Sequence, residues 1–339
     1  MHPTRTSLQP CCGCGTFRLC TGVRDRRGRH ADHRIGARGA GVDHRGIGLR
    51  RGAGIQADLK TFAAYEVYGA SVITGLTAQN TLGVQGVQYV DPAFVQKQLD
   101  SVLGDIGADA VKTGMLGSAE IIAAVAGRLS LAGVDRLVVD PVMIAKGGEA
   151  LIDGDAVAIL RQRLLPLARV VTPNIPEAEV LAGFAVDSWA ACHRAAEALH
   201  RLGPKVVVIK GGHSQAGWLK DAPWDSLETQ GHAVDIVYDG ERFTYLATPR
   251  VPSRKTHGTG CTFSSATAAG LALGWTDAEA IASAKAFIYA AIASAADWDV
   301  GSGHGPTDHS VRPAPAAGIQ AGGAYRLVDG QWERLEGGC

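Results

Sequence analysis

The chain has 339 residues, 46% hydrophobic and 19% charged, enough for one large α/β domain or two ordinary ones. Lys plus Arg and Asp plus Glu both total 33, so no net charge calls for nucleic acid or an acidic surface as partner. No apolar run reaches the roughly 18 residues that cross a bilayer, and the seven cysteines, without a secretion signal, argue against a disulfide framework and for the cytoplasm.

Residues 1–51 differ from everything after them. They hold eleven Arg and no Lys, three Asp and no Glu, and no apolar periodicity. Cys11, Cys12, Cys14 and Cys20 crowd this segment but do not make the two C-x2-C pairs of a zinc site. A basic nucleic-acid arm, an Arg-rich transit peptide and plain disorder are conventional readings. A frameshift explains more. With wobble bases chosen freely, codons for residues 43–51 read one base later encode TIAGSDSGG, which joins Gly52-Ala53-Gly54-Ile55-Gln56 as a strand, a glycine turn and a helix. That supplies the first strand the following domain otherwise lacks. Residues 1–51 are therefore expected to be an aberrant, disordered segment, residues 52–313 the folded domain and residues 314–339 a tail.

From Ala53 onward, short apolar runs alternate with amphipathic stretches. The pattern predicts a helix over 56–68, a strand over 71–76, a helix over 91–103 with Pro92 in its first turn, and a strand over 110–113. A helix over 119–129, a strand over 136–139, a helix over 155–164 and a strand over 168–172 follow. Then come a helix over 189–202, a strand over 205–210, a loop insertion over 220–232, and a hairpin of 234–238 with 242–246 around Asp239-Gly240. Helices over 261–273 and 277–298 end the domain, and the Ala/Gly-rich tail either adds a short strand at 325–328 or frays. Strands alternating with helices imply a mainly parallel central sheet with helices on both faces, a three-layer sandwich. Ligands of such sheets bind beyond the carboxyl ends of the strands.

The chemistry-bearing residues cluster at those ends. Thr256-His257-Gly258-Thr259-Gly260-Cys261-Thr262 precedes a helix of small apolar residues. Gly258 and Gly260 let backbone N–H groups converge at a helix N-terminus, an anion hole suited to a transferring phosphoryl group, or else a tight packing turn. Cys261, in the first helical turn, is placed to orient a substrate hydroxyl or accept its proton. Asp140 ends one strand, and Glu177 follows another in Asn174-Ile175-Pro176-Glu177. These carboxylates suit Mg²⁺ and its waters; the alternatives are a turn before Pro141 and a helix-capping box. Lys146 is a phosphate contact or a solvated loop residue, and Lys210-Gly211 a nucleotide approach or a plain turn. Gln79 and Met115, at strand ends, suit a flat heteroaromatic ring.

These motifs together resemble the hydroxymethylpyrimidine/phosphomethylpyrimidine kinases of thiamine biosynthesis, in the ribokinase-like superfamily. The resemblance rests on GAGIQADLKTF at 52–62, SVITGLTAQNT at 71–81, KTGML at 112–116, VVDPVM at 138–143, TPNIPEAEVL at 172–181, VVVIKGGH at 206–213, THGTGCTFSSA at 256–266 and GHGP at 303–306. It implies a ribokinase-like fold, MgATP as phosphoryl donor and a homodimer. It further implies that Gln79 binds the aminopyrimidine, with Ala53, Thr77 and Met115 around it. Lys210, Gly211 and Thr259 lie on the nucleotide side, and Asp140 and Glu177 in the Mg²⁺ region. Cys261 is a family marker, since sugar kinases and most pyridoxal kinases carry Asp there. The family's AGSD turn is replaced here by Gly46-Ile47-Gly48-Leu49. A pyridoxal/pyridoxine kinase and an inactive ligand-binding relative are the competing readings.

Overall fold

A computed structural model describes residues 14–21, 53–143, 154–213 and 231–335. Lys146, residues 220–230 of the expected loop insertion and most of residues 1–51 lie outside that set. The described chain begins with β1 (Cys14–Thr21), α1 (Ile55–Ala64), the hairpin of β2 (Tyr68–Gln79) and β3 (Val84–Tyr89), and α2 (Pro92–Asp105). It continues through β4 (Ala110–Thr113), α3 (Ala119–Leu131), β5 (Leu137–Val139), α4 (Gly154–Ile159), β6 (Val170–Val171), α5 (Ile175–Ala182), α6 (Trp189–His200) and β7 (Val206–Ile209). The hairpin of β8 (His232–Tyr238) and β9 (Phe243–Pro249) leads to α7 (Thr259–Ala272), α8 (Asp277–Ser294), β10 (Gly323–Val328) and β11 (Gln331–Leu335).

These strands form one sheet, ordered β11-β10-β9-β8-β7-β6-β5-β4-β1-β2-β3. Its centre, β4 to β7, is parallel throughout. Followed outward, the pairings give β2, β9 and β10 the same direction and β1, β3, β8 and β11 the opposite one. Helices α2 to α6 pack on one face through Val95, Leu99, Ile121, Val125, Leu181 and Leu199. Helices α1, α7 and α8 pack on the other through Phe62, Phe263, Leu271 and Phe287. This is the ribokinase-like three-layer arrangement that the motifs imply.

Strand alternation decides which charges share a face. In β4, Val111 faces the first helical layer and Ala110 the second. In β5, Leu137 and Val139 face the first and Val138 the second; in β7, Val207 and Ile209 face the first and Val206 and Val208 the second. The same period sends Lys112, Asp140 and Lys210 toward α1, α7 and α8. Lys112 is 1% exposed and pairs with Asp58 of α1 at 2.9 Å. Local chemistry starts the helices: Asp91 accepts from the backbone N–H of Ala93 and Phe94 ahead of α2, and Thr276 and Glu279 form a capping box for α8.

Several elements depart from expectation: β1 lies in the segment expected to be disordered, the first helix ends at Ala64 rather than 68, and α5 and β11 were not expected. β2 runs well beyond 71–76 because its last residues pair with β3. β3 carries no apolar alternation, having Gly86 at its centre and an exposed surface, so its sequence gives no strand signal. The helix over 155–164 gives way to a π turn at Leu160–Leu164 and a 3-10 turn at Leu165–Leu167, where Pro166 has no N–H to continue the ladder. The last long helix stops at Ser294 rather than 298. In the tail, β10 joins β9 in parallel and carries β11, burying Ala324, Tyr325 and Leu327.

The Lys112–Asp58 pair ties α1 to the centre of the sheet. Removing one partner strands a buried charge. Lys112→Met is therefore expected to lower the unfolding free energy by about 3–5 kcal/mol in urea titrations. D58L/K112M, with no charge left, recovers most of that loss.

Candidate active site

Helix α7 begins where Gly258 takes a left-handed conformation at φ 85°, a backbone that side-chain-bearing residues rarely adopt. Its following N–H groups have no side-chain cap and so remain available to an anion. Thr259 Oγ1 donates to the Thr256 carbonyl at 3.1 Å, closing the turn. The helix is lined by small residues and is buried from Thr262 to Ala272, which lets its N-terminus reach the carboxyl edge of β5 and β7.

That edge presents two opposite charges. Lys210 Nζ lies 2.9 Å from Asp140 Oδ1, with the side chains 14% and 2% exposed. Asp140 Oδ1 also accepts from Thr172 Oγ1 at 3.4 Å, and Oδ2 from Ser264 Oγ of α7 at 3.3 Å. Gly260 faces this pair: a Cβ there would sit 3.4 Å from Lys210 Nζ and 3.7 Å from Asp140 Oδ2. Burial alone would raise the Asp140 pKa, but the Lys210 and Lys112 ammonium groups outweigh it and hold the carboxyl below its usual range. Lys210 is held above its ordinary value for the reciprocal reason: burial opposes its charge, while Asp140 and Glu177 favour it more strongly. Cys261 is a free, partly exposed thiol and lies within electrostatic reach of Lys210.

Glu177 caps a helix and also lies in the electrostatic field of the Asp140–Lys210 pair. Its Oε2 accepts from Asn174 N at 2.8 Å and Asn174 Oδ1 accepts from Glu177 N at 2.9 Å, a complete capping box for α5. The same carboxyl shares the electrostatic field of Lys210 and Asp140, and burial pushes its pKa up to about 7. Asp140 carries the hydroxyls of Thr172 and Ser264, and Glu177 shares its electrostatic field; oxygen ligands of this kind suit a hard divalent cation.

On the other side, Thr77 Oγ1 donates to Gln79 Oε1 at 3.5 Å at the end of β2. Met115 follows β4, its carbonyl accepting from Thr74 Oγ1 at 2.9 Å, and its methyl lies 3.6 Å from where a Cβ on Gly75 would be. Ala53 is half-buried just ahead of α1. Gly211 N donates to Asp235 Oδ1 at 2.8 Å, beside Lys210. Thus Asp140, Lys210, Glu177, Gly260 and Cys261 form one cluster, Thr77 with Gln79 a second, and Met115 meets β2 next to it. Sequence reasoning missed Asp58, Lys112, Thr172 and Ser264. The signal for Lys112 was a lysine inside the otherwise uncharged strand Ala110-Val111-Lys112-Thr113, which demands a buried partner.

A family profile described as phosphomethylpyrimidine kinase matches residues 50–308. The chain is 52% identical over 258 residues to the thiamine biosynthesis bifunctional protein ThiED of Geobacter sulfurreducens, covering 76% of this chain and 49% of that protein; it spans about half of that relative's length. It is 48% identical to the hydroxymethylpyrimidine/phosphomethylpyrimidine kinase of Rhizobium meliloti, covering 76% of this chain and 92% of that one. Among solved structures, an ADP complex of Bacillus subtilis pyridoxal kinase superposes with a TM-score of 0.67 at 37% identity, over 78% of this chain and 95% of that one. Both the matched span and the identity to full-length relatives establish that the chain belongs to the phosphomethylpyrimidine kinase family.

Proposed function

We propose that the protein uses MgATP to phosphorylate the hydroxymethyl group of 4-amino-5-hydroxymethyl-2-methylpyrimidine and then the resulting monophosphate, in thiamine biosynthesis. The observation that carries this reading is the buried Asp140–Lys210 pair set against Gly260 and Cys261 at the start of α7, in a chain of this family. The free N–H groups of α7 and the Lys210 ammonium are preorganised for charge developing on the transferring phosphoryl group. Cys261, one residue into that turn, orients the substrate hydroxyl and takes up or relays its proton. Gln79 hydrogen-bonds the aminopyrimidine edge, with Ala53, Thr77 and Met115 against the ring. Lys210, Gly211, Thr259 and Lys146 serve the nucleotide. Asp140 and Glu177 would hold a Mg²⁺, which would supply neutralisation of the phosphate charge.

The working assembly in this reading is a homodimer. Exposed Leu76, Leu82, Val87 and Tyr89 of the β2–β3 hairpin, with Phe94 of α2, favour it. A cytoplasmic location suits the free thiols Cys192 and Cys261. No described helix is long and apolar enough to cross a membrane.

Residues 1–51 bear on whether this chain turns over. The frameshift reading gains support from two observations. The family match opens at residue 50. β1 occupies the slot between β2 and β4 but runs against both, and its last residue, Thr21, pairs with Tyr68 at the start of β2. Since α1 ends just ahead of β2, that is the edge opposite to the start of α1. A strand of the reverse direction in that slot would deliver the chain directly to Gly54.

Three outcomes test the reading. Cys261→Ala is expected to cut kcat for hydroxymethylpyrimidine about a hundredfold in a coupled ATP-turnover assay, with pyridoxal turned over less well than the pyrimidine in competition. A starting chain without turnover that the substitution leaves unchanged would sink the kinase assignment for this chain. Replacing residues 43–51 by TIAGSDSGG is expected to raise kcat/KM for the pyrimidine by roughly two orders of magnitude; no gain defeats the frameshift reading. Glu177 must be ionised to help hold Mg²⁺, and burial raises its pKa to about 7 without metal. At sub-saturating Mg²⁺, activity is therefore expected to fall as pH drops through 7, and Glu177→Gln removes that limb of the profile.

A further inference from the structure

Lys210 and Gly211 are held by groups that lie outside the site itself. Gly211 follows β7 and faces β8 so closely that a Cβ on it would stand 1.7 Å from the Val234 carbonyl oxygen. Its N–H donates to Asp235 Oδ1 at 2.8 Å. The same oxygen receives Lys285 Nζ of α8 at 2.8 Å, with the two side chains 6% and 4% exposed. On the other side of the turn, the Arg250 guanidinium donates to the Gly212 carbonyl at 3.3 Å and the Gly211 carbonyl at 3.4 Å, while its Nε holds the His232 carbonyl at 3.1 Å. Both the N–H and the carbonyl sides of one short turn are therefore fixed.

A buried ion pair is weak evidence for stability, because two charges must be stripped of water to make it. A pair whose shared oxygen grips a backbone N–H has a geometric use. We infer that Asp235, oriented by Lys285, and Arg250 are positioning residues that clamp the Lys210-Gly211-Gly212 turn. They fix where the Lys210 ammonium meets Asp140 and where the turn's backbone meets the nucleotide. Asp235 reaches Gly211 because it lies on the strand next to β7, one step before the Ile209–Ile236 pair. Lys285 reaches Asp235 because α8 packs on the same face of the sheet. The inference rests on the assignment of Lys210 and Gly211 to the nucleotide side.

Two double variants isolate the clamp from the charges. D235N/K285M removes both charges and keeps an acceptor for the Gly211 N–H. D235L/K285M removes both charges and the acceptor in a similar volume. The readout is the dissociation constant of a non-hydrolysable MgATP analogue by calorimetry, with thermal unfolding as the check on folding. D235L/K285M is expected to weaken analogue binding tenfold or more, and D235N/K285M less than threefold, at comparable melting temperatures. In turnover, the Leu variant raises KM for ATP while KM for the pyrimidine stays within twofold. Equal affinities in the two double variants would overturn the clamp. If the Leu variant does not fold, Arg250→Met replaces it, and analogue affinity within twofold of the parent overturns the proposal. A parent chain that binds no analogue defeats the nucleotide-side assignment itself, which separates that failure from failure of the clamp.

Discussion

The contact between Asp140 and Lys210 governs the architecture around it. Two opposite charges at the carboxyl edge of a central parallel sheet are tolerable only if something polar completes their shell and nothing bulky separates them from the helix above. Thr172 and Ser264 supply the hydroxyls. Gly260 of α7 faces the pair directly, with no side chain between them. Even the strand period serves the contact, since a one-residue slip in β5 or β7 would turn Asp140 or Lys210 into the opposite helical layer.

The pair also belongs to a longer series of alternating charges. Asp58, Lys112, Asp140, Lys210 and Glu177 run from α1 across the sheet to α5. The ionisation of Asp140, Lys210 and Glu177 depends on their neighbours. Asp140 is anionic because two ammonium groups outweigh its burial, whereas burial, with Asp140 facing it, pushes the Glu177 pKa up to about 7 against the single ammonium of Lys210. The two carboxylates that a metal would use are thus unequal: one is a fixed charge and the other is a charge that the metal itself has to call up.

Much of this was legible in the sequence where the signal is local. Glycines at 258 and 260 before a small-residue helix, Asp140 after a β-branched strand and Asn174 three residues before Glu177 each announce a turn or a cap within one window. What escaped is non-local or unpatterned. The partner of Lys112 lies 54 residues away, and nothing in GAGIQADLKTF says which strand Asp58 will face. Asp235 and Lys285 come from a hairpin and a helix that become neighbours only once the sheet closes. β3 was invisible because its residues are exposed and its centre is glycine. Of the last two strands, β10 overlaps the short strand offered at 325–328, whereas β11, largely exposed, carried no apolar signal.

Helix α7 is buried along nearly its whole length, and nearly all of its own side chains there are small. Its axial position is therefore set like a gauge block, by the summed thickness of methyls and hydroxyls along Ser264, Ser265, Ala266, Ala268 and Ala269. One added methylene in that buried helix forces side chains off their rotamers or the backbone to shift. Any shift of the helix would carry to the N–H groups at residues 259–261, where a misplacement of 1 Å would cost on the order of a hundredfold in rate. Small buried residues along this helix thus set the tolerance of the proposed phosphate site.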